Sequence, residues 1–286
     1  MAEPITKALK LLLQSSLKDL ENITNSDVLC YFGPLADGNE SVFLEIIEGL
    51  AEESDKKDQL SIVLTTTGGS ATVVERYVNI IRHHYKKVSF IVPDYAYSAG
   101  TIFCMSGDDI WMDYSSVLGP IDPQVRNKEG HFVPALGYLD KINSLIDKAK
   151  SNTLTSAEFM ILKDFDLAEL RAYEQAKELT ISLLENWLVK YKFKNWTTHS
   201  STGQRVTPKE KKDRAAKIAE QLGDNNKWKY HGRPINIEAL ESLKLKVEDY
   251  SDNANLRNAI RRYYQLVCDY VTKYNIQIFI QTRKFI

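Results

Sequence analysis

Between residues 28 and 112 short apolar runs alternate with amphipathic helical patterns, and this alternation restricts the fold more than any other feature. Val28-Leu29-Cys30-Tyr31-Phe32, Ser61 to Thr66, Val88 to Val92 and Asp109-Ile110-Trp111-Met112 read as strands. Helical patterns over 41–51, 71–84 and 98–107 separate them. The first turns Val42, Phe43, Ile46, Ile47 and Leu50 inward, the second Val73, Val74, Tyr77, Val78 and Ile81. A single helix between strands spaced roughly 20–35 residues apart is the crossover that a parallel pair requires. This region is therefore expected to be α/β with a mainly parallel sheet.

The flanks differ. Residues 5–22 predict an amphipathic helix, with Ile5, Leu9, Leu12, Leu13, Leu17 and Leu20 near helical spacing and Lys7, Lys10, Lys18 and Asp19 off that stripe. Such a helix docks on the body or on a neighbouring subunit. Residues 119–137 read as loop, punctuated by Pro120, Pro123, Gly130, Pro134 and Gly137. Helices are expected over 138–149 and 155–192 and again from Thr207-Pro208-Lys209-Glu210, whose Thr and Glu fit a capping box, to Leu222-Gly223. A last helix is expected over 252–273, and Ile276 to Ile280 reads as a strand.

Composition excludes some functions. Lys plus Arg is 37 against 38 for Asp plus Glu, so the chain lacks the basic excess of a nucleic-acid or membrane-surface binder. The basic run Arg205 to Lys217 is interrupted by Glu210 and Asp213 and reads as a solvated helix face. No uncharged apolar run reaches the roughly 18 residues of a membrane span. Met1-Ala2-Glu3-Pro4 opens no secretory pattern. Cys30, Cys104 and Cys268 are far apart and form no CxxC pair, as expected of reduced thiols in a cytoplasmic protein. No HExxH or EF-hand spacing occurs, and no GxGxxG, so neither a metal nor a dinucleotide cofactor is expected.

Two strand-to-helix turns carry chemistry. In Thr66-Thr67-Gly68-Gly69-Ser70 the paired glycines free backbone N–H groups to face a ligand beside a helix start, which suits a developing oxyanion. In Asp94 to Gly100, Ser98 is surrounded by Ala96, Ala99 and Gly100, the small neighbours that a nucleophile on a tight turn needs. Ser98 also reads as an ordinary helix N-cap, and the glycines as an ordinary turn. The two turns follow successive strands of a parallel sheet, so they meet at its carboxyl end, where ligands bind.

These turns, with Leu118-Gly119-Pro120-Ile121-Asp122-Pro123-Gln124 and His231-Gly232-Arg233-Pro234-Ile235, resemble the serine dehydrogenase proteinase family. That family belongs to the Clp protease and crotonase-like superfamily and is related to signal peptide peptidase A. The resemblance covers roughly residues 25–250, most strongly about 61–125. It implies a superhelix of ββα units with added terminal helices, and a serine-type peptidase rather than a nicotinamide enzyme. It divides the chain into an N-terminal helix (1–25), a peptidase domain (26–250) with a helical insertion about 138–223, and a C-terminal helix and tail (251–286).

By the resemblance, Ser98 is the nucleophile, Gly68 and Gly69 form the oxyanion turn, and the Ala99 N–H is a second donor. The base stays open. The histidine that the Clp proteolytic subunit places about one strand and a turn after its nucleophile is absent from Leu118 to Asp122. One candidate is His231, oriented by Asp122. The other is Lys141, following the signal peptide peptidase branch, where a lysine base needs burial to become neutral. His83 and His84 close a helix, and His131 and His199 sit in polar loops.

The resemblance thus implies a peptide or protein substrate and homo-oligomeric assembly. Two rival readings stand beside the peptidase: an inactive relative that binds peptides or scaffolds an assembly, and a crotonase-type acyl-thioester enzyme.

Overall fold

A computed structural model describes residues 4–126, 130 and 132–286. Met1 to Glu3, residues 127–129 of the expected loop, and His131 lie outside the described residues. The chain runs through α1 (Pro4–Thr24), β1 (Asp27–Phe32), α2 (Glu40–Ala51), β2 (Gln59–Thr65), α3 (Ala71–His84) and β3 (Lys87–Ile91). Next come β4 (Tyr95–Ala96), α4 (Ala99–Cys104), β5 (Asp109–Met112), β6 (Val117–Leu118), β7 (Gln124–Arg126) and β8 (Phe132–Pro134). The helical region follows as α5 (Ala135–Lys150), α6 (Ser156–Lys163), α7 (Leu167–Trp187), a π-helical turn (Leu188–Lys192), α8 (Pro208–Gly223), α9 (Asn225–Trp228) and α10 (Ile237–Ser242). The chain closes with β9 (Glu248–Asp249), α11 (Ala254–Tyr274) and β10 (Phe279–Gln281).

The apolar runs are neighbours in one sheet of order β10-β1-β2-β3-β5-β9. All its pairs are parallel except β10 on β1. The strands are apolar on both faces because both faces are covered. Leu29, Tyr31, Ile62, Leu64 and Phe90 join the core formed with α2, α3 and α4. Phe43 of α2 and Tyr77 of α3 stack there with ring centroids 3.8 Å apart. Val28, Cys30, Val63 and Ile91 point the other way, onto Leu13, Leu17 and Leu20 of α1 and Ile260, Tyr263 and Val267 of α11.

The opposite ends of the sequence therefore cover the same face of the sheet. Each fully buried leucine of α1 contributes about 1.5–3 kcal/mol relative to exposure. The tail is also tied by charge. The Arg283 guanidinium donates to Asp27 at 2.7 Å and to Glu21 at 2.8 Å.

A second, smaller layer positions the site. Beyond its main-sheet strand the chain kinks and makes a short second pairing before each helix: Leu35 with Gly69, Thr66 with Ala96, and β4 with β6, all parallel. Leu118 then bridges Ile235 in antiparallel sense. Strand, short strand and helix recur as ββα units.

Some expectations are corrected. The helix expected over 155–192 is broken between α6 and α7, because the Asp166 carboxylate accepts from Ala168 N–H at 2.7 Å and starts a new helix. The loop expected over 119–137 contains the antiparallel pair β7 and β8. The tail strand begins at Phe279 rather than Ile276. Thr207 and Glu210 form the expected capping box.

Candidate active site

Ser98 sits in a tight turn closed by Gly100 N–H donating to Tyr97 O at 2.8 Å. Its backbone has φ 53° and ψ −116°. That is the first central position of a type II′ turn, which glycine ordinarily takes. A non-glycine residue there costs on the order of 1–3 kcal/mol and persists only where its surroundings impose it.

The surroundings are visible. Tyr97 N–H donates to Thr66 O at 3.0 Å, and Thr66 N–H to Tyr95 O at 3.1 Å. The Thr101 hydroxyl faces the Ala96 and Gly119 carbonyls, each at 2.9 Å, and accepts Gly119 N–H at 3.0 Å. Gly100 is small because a Cβ on it would lie 2.3 Å from Thr66 Cγ2. The N-cap reading of Ser98 fails in its chemistry: the residue precedes α4, but its side chain makes no capping hydrogen bond. Among the described residues the half-buried Ser98 hydroxyl has no partner.

Gly68 and Gly69 lie against this turn with φ of 101° and 150°. A Cβ on Gly68 would lie 2.8 Å from Ser98 Cβ and 3.3 Å from Ala99 N. One on Gly69 would lie 2.2 Å from Leu35 O. The segment is held by Leu35 N–H donating to Gly68 O and Ser70 N–H to Leu35 O, both at 2.8 Å. Ser70 caps α3 by accepting Val73 N–H at 3.4 Å. The Gly68 N–H is engaged by Thr66 Oγ1 at 3.0 Å. Among the described residues, the Gly69 and Ala99 N–H groups have no hydrogen-bond partner.

His231 Nδ1 is 2.8 Å from Asp122 Oδ1. A carboxylate can only accept, so Nδ1 carries the proton and the lone pair of neutral imidazole is on Nε2. Asp122 is 1 % exposed, and its second oxygen accepts from Gln124 Nε2 at 3.0 Å. The His231 segment is fixed by paired hydrogen bonds, Leu118 N–H to Ile235 O and Ile235 N–H to Leu118 O, each at 2.9 Å. Gly119, next in sequence, backs the serine: a Cβ on it would lie 3.3 Å from Ser98 N. The short second layer thus carries the serine turn and the anchor of the His231 segment together.

Lys141 makes no hydrogen bond or ion pair with Ser98, Asp122 or His231 among the described residues. It is exposed on α5, without the burial that a lysine base requires. His199 bonds Glu210 at 3.0 Å, away from this site.

Sequence reasoning did not single out Thr66, Thr101 or Gly119. A threonine three residues after the candidate nucleophile and a glycine in Leu118-Gly119-Pro120 were the available signals. Among the described residues no cluster of His, Cys, Asp and Glu side chains is arranged to hold a metal ion, and no helix is long and apolar enough to cross a membrane.

The profile of the ClpP-like SDH-type serine proteinase family matches residues 45–210, more than half of the chain. That stretch contains Gly68, Gly69, Ser98, Asp122 and Lys141 and ends before His231. Two uncharacterised proteins of Methanocaldococcus jannaschii are related in sequence. One is 30 % identical over 129 residues, 42 % of this chain and 44 % of that protein. The other is 26 % identical over 194 residues, 68 % of this chain and 54 % of that protein. The chain thus spans about half the length of the curated relatives it matches. Among solved structures, a ClpP1 variant from Listeria monocytogenes aligns at TM-score 0.41 and 11 % identity, covering 82 % of this chain and 98 % of that one. A probable enoyl-CoA hydratase/isomerase from Mycobacterium abscessus aligns at TM-score 0.38 and 12 % identity, covering 82 % and 67 %.

Proposed function

This chain belongs to the ClpP-like SDH-type serine proteinase family, and on that premise we propose that it hydrolyses peptide bonds through an acyl-enzyme on Ser98. Ser98 Oγ attacks the peptide carbonyl while His231 Nε2 takes its proton. Asp122 holds the imidazole by its Nδ1–H and stabilises the imidazolium. The Gly69 N–H, on the turn that includes Gly68, and the Ala99 N–H, next after the nucleophile, receive the developing oxyanion. His231 returns the proton to the leaving amine. Water, deprotonated by the same imidazole, then attacks the ester carbon, and Ser98 leaves as the alcohol.

The observation that carries this reading is the His231–Asp122 hydrogen bond, anchored to the same short layer as the Ser98 turn. It favours His231 over Lys141 as base. It also speaks against an inactive scaffold, because it supplies Asp122 with the histidine partner that Leu118 to Asp122 lacks in sequence. A crotonase-type reaction leaves Ser98 without a role, whereas the strained turn presents its hydroxyl.

The substrate is a peptide or an unfolded protein, and the enzyme works as a cytoplasmic homo-oligomer. Its three cysteines are free thiols. Exposed Phe159, Met160 and Leu167, the last 79 % exposed, offer an apolar surface for assembly. The test is hydrolysis of a fluorescein-labelled unfolded protein. Activity is expected in the parent and absent in Ser98→Ala at unchanged melting temperature. Equal activity in the two proteins would overturn the reading.

A further inference from the structure

A cavity of about 1010 Å³ opens at the end of the sheet away from Ser98. Lys87, the first residue of β3, and Asp109, the first of β5, line it, whereas Ser98 follows the far end of β3. The length of β3 alone is roughly 16 Å. The outer wall is the π-helical turn ending at Lys192 and the segment after it, with Tyr191, Phe193 and Trp196. Single π-helical turns are rare and recur at functional sites.

The charges of this cavity do not cancel. Three cations are matched: Lys87 with Asp109, Lys194 with Asp108, and Lys246 with Glu248. Three more, Lys192, Arg214 and Lys244, line the cavity with no carboxylate at ion-pair distance among the described residues. Glu241 is the unmatched carboxylate on the other side of the balance. Lys192 is half-buried, and burial lowers its ammonium to about 8 despite Asp109, Glu248 and Asp108 nearby, with Lys246 acting in the same direction as burial. An ammonium partly withdrawn from water without a direct counter-ion is unfavourable, and an incoming anion relieves it. The aromatic side matches this. The Arg214 guanidinium lies 5.7 Å from the Trp196 ring centroid, a cation–aromatic pair at the cavity wall.

We propose that this cavity is a second ligand site, which takes a phosphate-bearing small molecule with a planar ring, of the nucleotide class. Lys192, Arg214 and Lys244 receive the phosphates, and the ring packs among Tyr191, Phe193 and Trp196. The volume is at the upper end of the range for small-molecule pockets and accommodates a mononucleotide. The site does not depend on the peptidase reading, because it shares no residue with the Ser98 centre.

The test is calorimetric titration of the full chain with ATP, inorganic triphosphate and adenosine, without divalent cations. ATP is expected to bind saturably and at least tenfold more tightly than either half-molecule. Lys192→Gln and Lys244→Gln are each expected to weaken ATP at least tenfold at unchanged melting temperature, and Ser98→Ala to leave it unchanged. Lys244 is exposed, so its replacement tests the site even if Lys192→Gln fails to fold. No saturable ATP binding at millimolar concentration would overturn the proposal. So would triphosphate or adenosine binding as tightly as ATP, or ATP binding that Lys244→Gln leaves unchanged.

Discussion

His231 Nδ1 and Asp122 Oδ1 meet at 2.8 Å although 109 positions separate the residues in sequence. The buried carboxylate selects one imidazole tautomer and leaves the other nitrogen as an acceptor. Asp122→Asn preserves the shape but allows the amide to donate to the ring, which reverses the tautomer preference. It is expected to lower kcat by about 10⁴-fold, the scale seen for a serine–histidine–aspartate centre. Steady-state kinetics with circular dichroism as a folding control checks it. A loss below tenfold would mean that Asp122 does not orient the base.

The strain at Ser98 has a measurable consequence. Ser98→Gly relieves the positive φ and is expected to stabilise the fold by about 1 kcal/mol while removing activity. Ser98→Ala keeps a Cβ and therefore the strain, and is expected to leave stability within about 0.5 kcal/mol of the parent. Urea unfolding of the two variants separates activity from strain. Equal stability of the glycine and alanine variants would contradict the strain assignment.

Gly69 is required for space as well as for its φ of 150°. Gly69→Ala places a Cβ 2.2 Å from Leu35 O, against backbone that cannot rotate away. A destabilisation of about 2–3 kcal/mol is expected, with loss of the oxyanion turn. Gly38→Ala is the control, because no atom lies within 4 Å of a Cβ there, although its φ is 98°. Thermal denaturation is expected to rank Gly69→Ala well below Gly38→Ala.

The buried thiols and tyrosines together set the alkaline limit: burial raises Cys30 from 9.0 to about 12 and moves Cys104 in the same direction. Burial raises the phenols of Tyr31, Tyr85, Tyr250 and Tyr263 above their ordinary value of 10.0. A raised folded-state value favours the protonated form in the fold. Its stabilising effect is complete below pH 10 and is lost above it, as the unfolded chain ionises first. Lys192 has the opposite sign. Its folded-state value is lowered from 10.5 to about 8, so between these values the unfolded chain binds the extra proton and stability rises with pH. Unfolding free energy is expected to rise gently between about pH 8 and 9, to fall above about pH 9 as the thiols of the unfolded chain ionise, and to fall more steeply above about pH 10 as its tyrosines follow. Lys192→Met is expected to abolish the rise and keep the fall.

What was legible in the sequence followed from local patterning. Strands buried on both faces had to be apolar throughout, so Val28 to Phe32 and Ser61 to Thr66 declared themselves. The small residues around Ser98 and the paired glycines marked their turns for the same reason, since close backbone approach excludes larger side chains. Long-range pairing was not legible. Whether His231 reaches Asp122 depends on the bridge between Leu118 and Ile235, which no periodicity encodes. The pairing of α1 with α11 across one sheet face was hidden in the same way, because each shows only an unassigned apolar stripe. The break between α6 and α7 depended on Asp166 capping rather than continuing a helical pattern. The strain at Ser98 lies in dihedral angles, to which composition is blind.

The central claim is that Ser98 is an activated nucleophile whose base is His231. The most direct measurement is covalent labelling of the folded chain with a fluorophosphonate probe, with the modified residue located by peptide mass mapping. Labelling is expected at Ser98 in the parent and in Lys141→Ala, and its rate is expected to collapse in His231→Ala. Labelling elsewhere, or labelling of Ser98 that survives His231→Ala and is lost in Lys141→Ala, would contradict the account.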